Sequence, residues 1–85
     1  MTREQVEELP QRWEMGQIVQ TTRGPINVLR LIGDDLDWDV DDEGNAIRVE
    51  YYEVWHYGEK KTVETSVGGN AETWLGDWPI DILIN

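Results

Sequence analysis

Ala46-Ile47-Arg48-Val49-Glu50-Tyr51-Tyr52-Glu53-Val54-Trp55-His56-Tyr57 runs directly into Gly58-Glu59-Lys60, and this succession of run and turn decides the fold. The run is dense in β-branched and aromatic residues, and a glycine follows it where a tight turn needs one. At a period of two it places Ile47, Val49, Tyr51, Trp55 and Tyr57 on one side. Tyr52, Val54 and His56 share the other side with Arg48 and Glu50. Trp55 has the parity expected of a core residue, as does Trp38 in its own segment.

Downstream of the turn, Lys61-Thr62-Val63-Glu64-Thr65-Ser66-Val67 reads as a second strand, closed by Gly68-Gly69-Asn70. Ala71-Glu72-Thr73-Trp74-Leu75 is expected to form one helical turn, capped by Asn70 and ended by Gly76. Trp78-Pro79-Ile80-Asp81-Ile82-Leu83-Ile84 follows as a strand, and Pro79 confines it to a sheet edge or a strand start. Ile80, Ile82 and Ile84 share one face, with Asp81 and Leu83 on the other. This strand is expected to complete the sheet; pairing across a homodimer is the alternative.

Upstream, Asp41-Asp42-Glu43-Gly44-Asn45 reads as a hairpin loop. Leu36-Asp37-Trp38-Asp39-Val40 alternates strictly, and Gly33-Asp34-Asp35 breaks it from the preceding run. Ile26 to Ile32 is apolar on both parities, as expected of a central strand covered on both faces. Gln17 to Thr22 is β-rich and is followed by turn chemistry at Arg23-Gly24-Pro25. Thr2-Arg3-Glu4-Gln5 resembles a capping box opening a short helix, with Val6 and Leu9 as its apolar contacts and Pro10 as its stop.

The whole is a mostly β (α+β) chain: a meander of five or six antiparallel strands over 16–84, a short helix over 1–10, one domain over 1–85. The turn spacing points to a strongly bent sheet or a small SH3-like barrel, with an open sheet carrying the helix on one face as the alternative. Without cysteine, neither disulfides nor thiolate metal sites can brace it. The first residues lack an apolar signal region and no run approaches a membrane span, so the expected location is the cytoplasm, of the chain's own cell or of an infected host.

Charge is the outlying property: 18 acidic against 7 basic residues, a net −11. Such a field repels nucleic acid and anionic membranes and attracts basic surfaces. The acids concentrate in Asp34, Asp35, Asp37, Asp39, Asp41, Asp42 and Glu43, seven of ten consecutive residues. In an extended strand Asp35, Asp37 and Asp39 form a row at about 6.8 Å spacing, with Leu36, Trp38 and Val40 anchoring it from the core side. A rigid line of regularly spaced negative charge resembles one edge of a nucleic-acid backbone. Glu50 and Glu64 extend the patch if their strands are neighbours, and Trp74 and Trp78 are candidate contact aromatics.

Other chemistries find weaker support. Asp39, Asp41, Glu43, Gly44 and Glu50 fall near calcium-loop spacing, but their flanks alternate like strands where an EF-hand needs helices. His56 is the only histidine and Ser66 the only serine, and nothing in the sequence places them together for catalysis. No metal site, cofactor motif or catalytic set is expected. The expectation is a small, acidic, non-enzymatic inhibitor that occupies the basic nucleic-acid-binding surface of a partner, by analogy of size and charge with anti-restriction and anti-CRISPR proteins. The alternative is an accessory or adaptor subunit that docks on a larger complex through its sheet or C-terminal strand.

Overall fold

In the computed structural model, which describes residues 3–37, 47–67 and 72–83, the deciding run forms strand β3, Ile47–His56. Numbered in chain order, the elements around it are α1 (Arg3–Glu8), β1 (Ile18–Thr21), β2 (Gly24–Asp37), β4 (Glu59–Val67), β5 (Thr73–Leu75) and β6 (Trp78–Ile80). All six strands join one sheet in the order β1-β2-β3-β4-β5-β6, each antiparallel to the next. The meander and the short helix are those expected.

The sheet curls into a half-barrel. Beyond β6 the chain meets β1: Thr21 bridges Ile82, the Thr22 N–H donates to the Asp81 carbonyl, and the Leu83 N–H donates to the Gln20 carbonyl. The C-terminal segment thus completes the sheet within its own chain. Ile80 is buried, Ile82 packs against the core, and Leu83 points outward.

β2 bends through two irregularities in its register with β3, between Val28 and Arg30 and between Leu31 and Gly33. The extra residues are Leu29 and Ile32, and each insertion resets which parity faces inward. Ile26, Val28 and Leu31 therefore all reach the core, while Ile32 is 44% exposed. This corrects two expectations. The mixed parity of 26–32 reflects bulges, not two covered faces, and Gly33-Asp34-Asp35 does not break the strand, which continues to Asp37.

The inner face of β3 is also the opposite of the one expected. Arg48, Glu50, Tyr52, Val54 and His56 are buried, and Trp55 is 44% exposed on the outer face. The core comprises Trp13, Val19, Ile26, Val28, Tyr52, Val54, Val63, Leu75 and Ile80. Trp13 enters from the arm between α1 and β1, its ring centroid 5.1 Å from that of Tyr52.

Residues 73–75 form a strand, not a helical turn. Thr73 and Leu75 are buried and Trp74 faces out, so the segment alternates. Gly76 has φ 60° at the first position of a two-residue loop linking Leu75 to Trp78, the backbone that a type II′ hairpin requires. Among the described residues no helix is long and apolar enough to cross a membrane.

Candidate functional site

The polar residues of β3 divide between two faces with different chemistry. Inside, Arg48 donates from Nη1 to the Val6 and Leu9 carbonyls and from Nη2 to the Pro10 carbonyl, at 2.8–2.9 Å. It satisfies carbonyls that the end of α1 leaves open, and its positive charge suits a helix C-terminus. Glu50 compensates it, Oε2 lying 3.4 Å from Nη2, both side chains being at least nine-tenths buried. Glu50 Oε1 also accepts the Arg12 N–H and the Tyr52 hydroxyl, and the Tyr52 oxygen accepts the Trp13 N–H. Arg12 Nη1 reaches Thr65 Oγ1 and the Ser66 carbonyl. This cluster clamps α1 and the following arm across the sheet. Glu50, 2% exposed, is a strut of that clamp and does not join an outer acidic patch.

Burial pushes the Tyr52 hydroxyl up to about 12 from its ordinary 10.0, opposed by the Trp13 N–H and reinforced by the Glu50 carboxylate.

Outside, Asp35 pairs with Val49 on the outer parity of β2, half-buried Leu36 follows on the inner one, and Asp37 stands opposite Ile47 in the register. Asp39, Asp41, Asp42 and Glu43 lie outside the described residues, as do Trp38 and the first positions of the calcium-like loop. Asp34 and Asp35 are exposed, and with Glu7, Leu36 and Arg48 they line an open cleft of about 280 Å³ between α1 and the end of β2. Exposed Glu4 and Glu8 stand on the same helix as Glu7.

Glu64 does reach the outer face. It pairs with Tyr51 on one side and Trp74 on the other. The Tyr51 hydroxyl donates to Asp35 Oδ2 at 3.5 Å. Partial burial, then the charges of Glu64 and Asp35, raise the Tyr51 hydroxyl above its ordinary range. Asp35, Tyr51, Glu64 and Trp74 are thus brought together. Trp78 is not: it lies at the opposite end of β2, 56% exposed, with the Arg23 guanidinium 3.8 Å over its ring.

His56 and Ser66 are held apart. His56 is opposite Glu59 and Ser66 opposite Val49, seven residues along β3, which is about 23 Å of strand. His56 Nε2 lies 2.9 Å from the Arg23 carbonyl and Nδ1 lies 3.1 Å from Lys61 Nζ. A carbonyl only accepts and an ammonium only donates, so Nε2 carries the proton. Ser66 Oγ is engaged with the Glu72 backbone.

The residues that sequence reasoning missed are Arg12, Trp13 and Tyr51. Compared with known protein families, curated proteins and solved structures, the chain matches none of them.

Proposed function

We propose that this chain is a small acidic binding protein, an inhibitor that occupies the basic nucleic-acid-binding surface of a partner protein, as nucleic-acid mimics of the anti-restriction and anti-CRISPR kind do. The observation that supports this most is the segregation of charge. Exposed Glu4, Glu7, Glu8, Asp34 and Asp35 gather where α1 meets the end of β2. Arg12 and Arg48 are turned inward, and Arg23, Arg30, Lys60 and Lys61 lie elsewhere, which leaves Arg3, at the start of α1, as the one basic residue on the helix that carries three of these acids. Arg30 and Lys60 pair with Glu53, and Lys61 pairs with Glu59. No described cation pairs with Asp34 or Asp35. Asp34 and Asp35 keep their charge for a partner's lysines and arginines, which would otherwise hold phosphates.

The test is competition. A partner recovered from host lysate with the full chain as bait is expected to lose its nucleic acid as the chain is added, stoichiometrically and without any turnover. A stable ternary complex with the nucleic acid still bound would overturn the reading.

A second reading, an accessory subunit docking by its sheet, draws on Ile18 and Trp55. They flank Asn27 on the outer face and are 61% and 44% exposed. A ternary complex in the competition experiment is the outcome it expects.

A further inference from the structure

The outer face carries one row that the acidic rim does not account for. Gly33 of β2, Tyr51 of β3, Glu64 of β4, Trp74 of β5 and Pro79 of β6 stand side by side by register. Neighbouring strands lie about 4.8 Å apart, so Tyr51 and Trp74 rise about 10 Å apart with Glu64 between them. Tyr51, Glu64 and Trp74 are all half-buried, held by the sheet yet open above it. A carboxylate flanked by two aromatic rings is a receptor for a cation. Among the described residues, none of the chain's own cations occupies it.

Gly33 is the second observation. Its φ is not in the left-handed region, so the backbone does not demand glycine. A Cβ built there meets nothing within 4 Å, so packing does not demand it either. With Ile32, Gly33 forms the bulge opposite Tyr51, a place where glycine is common, and lacking a side chain it also leaves the strand open to close approach by another backbone. The space it leaves is beside Tyr51, at the end of the row nearest Asp35.

We propose that this row docks an arginine-bearing segment of the partner, with the guanidinium over Glu64 between Tyr51 and Trp74 and the segment's backbone crossing Gly33. The inference rests on the binding-protein reading above and names the group it recognises. Arginine fits better than lysine because a planar guanidinium stacks on a ring while donating two parallel hydrogen bonds to a carboxylate. The molecule already stacks one guanidinium on an indole, Arg23 on Trp78. Asp35, reached through the Tyr51 hydroxyl, links the row to the acidic rim.

The probe is a blocked seven-residue glycine–serine peptide carrying two arginines, titrated into the ¹⁵N-labelled full chain and followed by amide and indole NMR shifts. Saturable shifts are expected at Gly33, Glu64 and the Trp74 indole. Replacing the arginines by lysines, or introducing Glu64→Gln, should weaken binding about threefold or more. Gly33→Val should weaken it comparably while the melting temperature holds or rises, since that position has room and a strand conformation. Shifts confined to 34–46, with full affinity in Glu64→Gln and Gly33→Val, would overturn the row and leave the acidic rim as the binding site. Absence of any saturable shift would overturn the row as well, while the nucleic-acid competition experiment would still decide the wider reading. If Gly33→Val loses stability, Glu64→Gln alone decides.

Discussion

Arg48 and Glu50 show how much depends on a single buried pair. Each charge is tolerable inside only because the other and several backbone groups meet it. Glu50→Ala is expected to cost about 3–5 kcal/mol in urea unfolding, because Arg48 is then left buried without a counter-charge. A loss under about 1 kcal/mol would mean that the arm is not clamped as described. Tyr52, bonded to the same carboxylate, makes a pH prediction. Its folded value, about 12, lies above the unfolded 10.0, so the folded state keeps a proton that the unfolded state releases. The contribution is fully present below pH 10 and is lost as pH rises through about 12. Two pH units correspond to up to about 3 kcal/mol. Tyr52→Phe loses two hydrogen bonds at every pH, but its stability should fall less steeply than the wild type's between pH 10 and 12. Parallel slopes in that window would contradict the assignment.

The arm between α1 and β1 has little regular structure, yet it supplies Trp13, the largest side chain of the core. Trp13→Ala should destabilise the fold by about 3–5 kcal/mol, measured by chemical unfolding, and a loss near zero would place the ring outside the core. Nothing local announces this residue, since Arg12 and Glu14 flank it and its partner Tyr52 is almost forty positions away. The strands of the meander, by contrast, were legible. β1, β3 and β4 follow from β-rich runs set off by turn residues, and Gly58 marks the β3–β4 hairpin, in which Tyr57 and Gly58 both adopt positive φ. What failed was facing. Counting apolar side chains put Trp55 inside and Arg48 and Glu50 outside, because the pattern cannot show that two opposite charges neutralise each other over a helix end. β2 misled for a different reason, as each bulge shifts parity by one residue without any composition signal. At 70–76 the capping residues of a helical turn were present, but a three-residue alternation and a hairpin glycine took precedence. Of the candidate site, Asp34, Asp35, Glu64 and Trp74 can be singled out from charge and aromatics, whereas their grouping with Tyr51 depends on the register of three strands.

At the scale of the whole molecule, a net −11 is spread unevenly over a body whose longest extent is 40 Å. The turns β1–β2, β3–β4 and β5–β6 lie at one end of the meander and carry Arg23, Lys60, Lys61 and Trp78, while α1 and the end of β2 lie at the other. A field polarised in this way orients a basic partner before contact. Changing Asp35, Asp37 and Asp39 together to Asn keeps side-chain size and hydrogen bonding but removes three charges. Folding should hold or improve slightly, because mutual repulsion falls. Binding to the partner recovered by pull-down should weaken about three- to tenfold at low salt, mainly through slower association. Raising ionic strength should slow the wild type more than the variant, since the Debye length shortens from about 30 Å at 0.01 M to about 8 Å at 0.15 M and screens the charges the variant lacks. Association rates across a salt series for both proteins provide the check. Equal slopes and equal affinities would remove Asp35, Asp37 and Asp39 from the interface and favour the outer sheet face, with Ile18 and Trp55, as the surface that binds.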